Sequence, residues 1–193
     1  MENIAFVLGN GTSRLALDLN QLKETGVVFG CNALYREFTP DVLISTDPGI
    51  SKEIQDSGYP KTNLHYTRKP IAGSGSKKIE FNYGFSSGPI AMTYACKTDA
   101  EKIYFAGFDL TGIDGKFNNV YADSPHYKPL TADATFFGNW VKQIETIMKY
   151  YNNKQFVRLI ISGAHTPDTW IMENYTEMPI ADFLVWINKI NPR

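Results

Sequence analysis

Cysteine is scarce in this chain of 193 residues. Cys31 and Cys96 are the only two, which excludes a disulfide framework and fits a reducing compartment; both thiols are expected to be buried. An excess of either charge is missing too. The 19 basic and 20 acidic residues leave a net charge of −1, so no general field exists to hold polyanions and no nucleic-acid partner is indicated. No apolar run approaches the roughly 18 residues that span a bilayer, and no basic segment precedes Ile4 in the manner of an export signal. A cytoplasmic protein without a membrane span is expected.

Histidine is nearly as rare, with three in the chain, and no His or Cys pair has metal-ligand spacing. No built-in metal is therefore expected, since Asp109, Asp114 and Asp123 would meet a hard cation only if their loop folded them together. Gly73-Ser74-Gly75-Ser76-Lys77-Lys78 lacks the spacing of a Walker A loop, and no Gly-x-Ser-x-Gly elbow follows a strand.

What the chain does have is core material, with 43% hydrophobic and 13% aromatic residues in a length typical of one domain. Ile4 to Leu8 is an unbroken apolar run ending in Gly-Asn-Gly, as expected of a strand buried on both faces. Leu15, Leu19 and Leu22 follow at helical spacing, and Gly26 marks the stop. Further strands are predicted at 27–29, 42–44, 63–66, 102–109 and 156–161. The helices predicted between them cover 48–55 (Asp47 as N-cap, Pro48 at N1), 86–96, 131–151 and 180–190. Segment 68–84 reads as a mobile loop. Phe136, Phe137, Trp140, Val141, Ile144, Ile147, Met148 and Tyr151 form one apolar stripe, expected to face the core. The alternation implies right-handed crossovers and a Rossmann-like α/β fold: one domain over 1–193, a parallel sheet flanked by helices, and an irregular lid at 111–130. Tyr150, Tyr151 and Trp170, expected to be exposed, leave room for a homo-oligomer contact.

A Gly-x-Gly turn between a buried strand and a helix lets the backbone approach a phosphate closely. The Gly9-Asn10-Gly11-Thr12-Ser13 segment has that context. It is not a dinucleotide fingerprint, because the third glycine position holds Arg14 and the second strand ends in Gly30-Cys31-Asn32 without an acid for a ribose. Ser86-Ser87-Gly88 opens a second strand–turn–helix site that faces the first. Among the histidines, His65 and His165 read as structural, whereas His126 in the lid reads either as a general base or as an exposed loop residue.

Four motifs in this order carry a resemblance: Val7 to Ser13, Cys31 to Tyr35, Gly88 to Cys96 with Ile103 to Asp109, and Ser124-Pro125-His126-Tyr127. Together they resemble the bacterial sialyltransferases of glycosyltransferase family 42, over residues 3 to 130. The resemblance implies a metal-independent transferase that takes a sugar from a CMP-type nucleotide sugar to an acceptor hydroxyl, with no cofactor beyond that donor. It further implies Asn10 and Asn32 at the nucleotide, His126 as the base and Tyr121 at the departing phosphate. Gly9, Gly11, Thr12, Ser13, Ser86, Ser87, Gly88 and Asp109 complete the expected donor site. The chain departs from the family at Thr12, where Gly-Asn-Gly-Pro-Ser has proline, and at Ser45-Thr46-Asp47-Pro48. Thr46-Asp47-Pro48 and Gly107-Phe108-Asp109 also resemble the hydroxymethyl-dihydropterin pyrophosphokinase family, which would use ATP and magnesium with Asp47 and Asp109 at the metal. A nucleotide-binding module without catalysis is the third alternative.

Overall fold

The computed structural model describes residues 3–192. From β1 (Ile4–Leu8) four successive strands run outward on one side: β2 (Val27–Cys31), β3 (Val42–Ser45), β4 (His65–Thr67) and β5 (Lys77–Lys78). The chain then returns to the other side of β1 to lay down β6 (Lys102–Ala106), β7 (Gln155–Ile160) and β8 (Tyr175–Pro179). The order is β5-β4-β3-β2-β1-β6-β7-β8, and every pairing is parallel. This is the Rossmann-like sheet expected from the alternation of elements.

Parallel strands need helical crossovers, and the helices cover both faces of the sheet. One layer is built from α3 (Ser87–Cys96) and α4 (Gly138–Tyr150), whose Ile90, Met92, Ile144 and Met148 pack on Val7, Phe29 and Phe105. The other comes from α1 (Leu19–Thr25), α2 (Pro48–Asp56) and α5 (Ile180–Ile190), where Leu22, Ile54, Phe183 and Ile187 pack on Phe6, Leu43 and Tyr104. Cys31 and Cys96 are both buried, as expected.

Several boundaries differ from those read in the sequence, each for a local reason. The first helical run is split: residues Thr12–Ala16 form a 3-10 turn, and α1 starts only after Asp18, whose carboxylate caps it through Asn20 and Gln21. Strand β6 stops at Ala106 rather than continuing to Asp109, because Gly107 turns the chain with φ 72°. Helix α4 starts at Gly138, not Thr131, since residues 132–134 spend their backbone groups against the lid: Phe117 N–H donates to Ala132, and Ala134 N–H to Gly115. Phe136 therefore leaves the apolar stripe and is 75% exposed. Segment 68–84 contains the edge strand β5 and is tied to α2, with Gln55 Oε1 accepting from Ile71 N–H and Ser74 Oγ. Strand β8 had no sequence forecast, because an edge strand with an exposed Thr176 and Pro179 lacks a buried apolar run. Trp170, expected at the surface, is only 4% exposed and packs with Phe105 and Tyr175.

His65 is structural. It is fully buried on β4 between Ser45 Oγ (2.7 Å from Nε2) and Ser76 Oγ (2.8 Å from Nδ1). Ser51 donates to Ser45, and both ring nitrogens of His65 are engaged by hydroxyls, one of them donating and the other accepting when the ring is neutral. Burial pushes this imidazole down to about 4 from the ordinary 6.5. A folded-state value below the unfolded one means that stability is fully present above pH 6.5 and is lost as the pH falls toward 4. In urea melts across that window, the wild type should lose on the order of 3 kcal/mol more than His65→Gln. Parallel pH dependences for the two proteins would contradict this assignment.

Candidate functional site

The chain order reverses between β1 and β6, and in open parallel sheets the crevice beyond the strand ends at that point is where ligands bind. Here the two strand ends cross in contact. Gly9 N–H donates to Ala106 O and Gly11 N–H to Gly107 O, both at 2.8 Å. A Cβ on Gly9 would collide with the Gly107 carbonyl, and one on Gly107 with the Gly9 carbonyl. A Cβ on Gly11 would lie 2.5 Å from the Asp109 carboxylate.

Asp109 locks this crossing. Its carboxylate accepts from Ser13 N–H (3.2 Å), from the Ser13 hydroxyl and from Asn118 Nδ2 (2.9 Å). Asn118 Oδ1 in turn accepts from Thr12 N–H (3.0 Å) and Thr12 Oγ1 (2.8 Å), which fastens the lid to the Gly-Asn-Gly turn. The lid is also held by Val120 N–H, which donates to Asn10 O at 2.8 Å. From below, Arg158 on β7, 1% exposed, donates to the carbonyls of Phe108, Asp109 and His165 and to Glu177.

The opposite wall is the start of α3. Ser86 does not cap this helix; its hydroxyl accepts from Trp140 Nε1 at 3.1 Å and its amide donates to Gln143. The Ser87 hydroxyl donates to Asn32 Oδ1 (2.8 Å) and meets Thr46 N–H (3.0 Å) and Thr46 Oγ1 (2.9 Å). Asn32 itself adopts φ 52°, a left-handed conformation that asparagine tolerates better than most residues. Asp47 precedes Pro48 at the start of α2 without capping it, so its carboxylate is left to border the site, 3.4 Å from Asn32 Nδ2.

Between these walls lies a cavity of about 280 Å³. Gly9, Asn10, Gly11, Asn32, Ser86, Ser87, Gly88 and Asp109 all line it, so eight of the residues singled out from the sequence converge. Thr12 and Ser13 do not line it; they are the rivets to Asn118 and Asp109. Residues missed in the sequence are Asn118, Asn119 and Trp140. The asparagines lie in an irregular stretch without a pattern, and Trp140 reads in the sequence as part of the core stripe. No lysine, arginine or histidine is among the lining residues, whose ionisable side chains are Cys31, Asp47 and Asp109. Among the described residues nothing donates to the buried side-chain carbonyl of Asn10. A second hollow of about 860 Å³ lies at the opposite end of the central strands, near Ile4 and Val27, where β1 and β2 begin, and Trp186.

Tyr121 is turned away from the cavity. Its hydroxyl donates to Glu37 (2.5 Å) and accepts from Arg14 Nη2 (2.7 Å), and Arg14 is itself 2% exposed. Burial above all raises this phenol far beyond its ordinary value, and the bond to Glu37 adds to the shift against the pull of Arg14. The lid phenol that touches a lining residue, though it is not one itself, is Tyr127, whose oxygen accepts from Ala33 N–H (3.2 Å) and lies 3.5 Å from Asn10 Nδ2. Burial raises Tyr127 as well, so it keeps its proton.

His126 stands beside the start of α2, in a lid turn where it takes φ 72°. Its Nε2 is 3.2 Å from Glu53 Oε2, and its Nδ1 faces Gly49, where a Cβ would come within 2.6 Å. Glu53 is held by Arg36 Nε (2.9 Å), Arg36 Nη2 (2.8 Å) and the Tyr35 hydroxyl (2.5 Å). Burial would raise this carboxyl, but the bonds from Tyr35 and Arg36 and the charges of Arg36 and His126 outweigh it, so Glu53 lies below the usual carboxylate range. Arg36 also reaches Ser124 Oγ (3.0 Å) and Pro125 O (3.2 Å), the two residues before His126. No sequence signal marked Glu53, which reads as one more charge on the surface of a helix.

Comparison with protein-family models, curated proteins and solved structures finds no match to the chain. No helix among the described residues is long and apolar enough to cross a membrane.

The crossing of Gly9 and Gly107 is expected to tolerate no side chain. Gly9→Ala should lose about 1–3 kcal/mol of stability in denaturant melts, the usual cost of overpacking, whereas Gly84→Ala, where a Cβ meets nothing within 4 Å, should stay within about 0.5 kcal/mol of wild type.

Proposed function

We propose that this chain is a glycosyltransferase of the sialyltransferase-like type, which moves a sugar from a CMP-type nucleotide sugar to an acceptor hydroxyl with His126 as general base. The observation that carries the reading is the composition of the cavity at the β1/β6 switch point: glycine backbone, asparagine amides and serine hydroxyls at the start of α3, with no cationic side chain. Such a lining offers hydrogen bonds and the positive end of one helix, which suits a single phosphodiester better than a di- or triphosphate. The volume, near the low end of the roughly 300–1,000 Å³ found for small-ligand sites, suits one nucleotide unit.

In this reading Asn10 and Asn32 take the nucleotide, with the unpartnered Asn10 carbonyl accepting from it. The phosphate lies toward Gly9 to Gly11 and the start of α3. Tyr127, which is protonated and touches Asn10, takes the role of phosphate phenol that the resemblance gave to Tyr121. A phenol that hydrogen-bonds the departing phosphate lowers the cost of its developing charge. The second reading, magnesium-dependent pyrophosphate transfer, draws on the carboxylate of Asp47 at the cavity edge. Asp109 fits it less well, since both of its oxygens already accept from Ser13 or Asn118.

Melting curves with CMP, UMP, GMP, ADP and ATP, each with and without magnesium, separate the two readings, because a ligand that binds only the folded state raises the melting temperature. CMP is expected to stabilise the chain without magnesium; a response to ATP that requires magnesium would instead select the pyrophosphokinase. In a transfer assay with a CMP-activated sugar, His126→Ala should lose about 10²- to 10⁴-fold in rate. Undiminished transfer by that variant would remove His126 from the mechanism.

A further inference from the structure

The geometry points to Glu53 as the positioning residue of His126: it accepts the proton on Nε2, which fixes the tautomer, leaves Nδ1 as the basic nitrogen, and so decides which atom of the ring takes the acceptor proton. This deepens the transferase reading and rests on it for its catalytic consequence, although the tautomer itself does not.

Three independent contacts converge on the assignment. Glu53 Oε2 is 3.2 Å from His126 Nε2, an ion-pair contact, and because a carboxylate can only accept, its charge beside Nε2 favours the ring form that carries hydrogen there. Arg36 and Tyr35 fix that carboxylate with three hydrogen bonds and keep it ionised. Arg36 also holds Ser124 and Pro125, so one guanidinium locates both the carboxylate and the turn that carries the imidazole. The left-handed φ of His126 belongs to the same device. That conformation is strained in a residue other than glycine, and the Arg36 contacts hold the turn in it.

On the other side of the ring, Gly49 is the residue that leaves room for Nδ1. It sits two positions after Asp47, which borders the cavity, while His126 and Gly49 are not themselves lining residues, so the acceptor has to reach Nδ1 beside the Asp47 edge of the cavity. During transfer the acceptor hydroxyl would give its proton to Nδ1 while its oxygen bonds to the anomeric carbon. The bond from that carbon to the phosphate oxygen breaks, and its electron pair leaves with the nucleotide. The resulting imidazolium keeps its Nε2–H on Glu53, whose charge balances it.

Nitrogen-15 NMR of the histidine rings in the ligand-free wild type, at a pH where His126 is neutral, reads the tautomer directly. The expected spectrum shows His126 protonated on Nε2 and bare on Nδ1. In Glu53→Gln that preference should collapse toward a mixture of tautomers, while Tyr35→Phe, which removes one donor to Glu53 and leaves Arg36 in place, should keep it. A wild-type His126 protonated on Nδ1, or a spectrum unchanged by Glu53→Gln, would overturn the proposal whether or not the chain transfers sugar. With transfer as the second readout, Glu53→Gln and Gly49→Ala should each lower kcat about 10- to 100-fold with KM for the donor little changed. Wild-type transfer matched by Glu53→Gln sinks the positioning role alone. Absent wild-type transfer together with the expected tautomer sinks the transferase reading and leaves the positioning contact standing.

Discussion

The carboxylate of Asp109 is the interaction on which the arrangement of the site depends. Two strands that arrive from opposite halves of the sheet end side by side, and Gly9 and Gly107 let their backbones touch. Contact alone does not set the direction of the segments that follow. Asp109 does, by accepting from the backbone and hydroxyl of Ser13 on one side and from Asn118 of the lid on the other. The Gly-Asn-Gly turn, the end of β6 and the lid thereby become one unit. Within that unit Ser13, Asn118 and Thr12 each bond to a partner that is itself fixed, the condition under which a buried polar network defines a single geometry.

Arginine charge is used in this molecule as scaffolding, and no cationic side chain lines the cavity. Arg14 and Arg158 are nearly inaccessible, and Arg36 lies under the lid turn. All three donate to carbonyls, hydroxyls or carboxylates that belong to loops. Arg158 supports the residues after β6, Arg14 joins Glu37 and Tyr121, and Arg36 joins α2 to the turn before His126. A guanidinium suits this task because its five donors lie in a rigid plane and bind several oxygens at once. The cavity is left without a cationic side chain, and its amides and hydroxyls, beside the carboxylates of Asp47 and Asp109, select a ligand by hydrogen-bond pattern.

Much of this was legible in the chain itself. Apolar runs that end in glycine or polar residues revealed the central strands, since a strand covered on both faces has to be apolar throughout. The Gly9 to Ser13 and Ser86 to Gly88 turns were legible for a related reason: a short turn between a buried strand and a helix has few solutions. What escaped were features set by partners distant in sequence. Strand β8 exists because β7 offers it an edge, and its own residues carry no apolar alternation. The first turn predicted for α4 was lost to hydrogen bonds with residues 115 and 117. Tyr121 and Tyr127 are equivalent as letters, and only the position of Arg14 and Glu37 draws Tyr121 away from the cavity. Glu53 was silent for the same reason, as its meaning comes from His126, Arg36 and Tyr35 together.

The central claim is that the crevice between β1 and β6 is a nucleotide site built from amides, hydroxyls and one helix start. A crystal structure of the chain with CMP tests it most directly. The account requires the nucleotide in the cavity, its phosphate within hydrogen-bonding distance of the Gly9 to Gly11 backbone and the start of α3, and Asn10 Oδ1 accepting from the ligand. A nucleotide found outside that crevice, or bound there with its phosphate directed away from the turn and the helix, would contradict it.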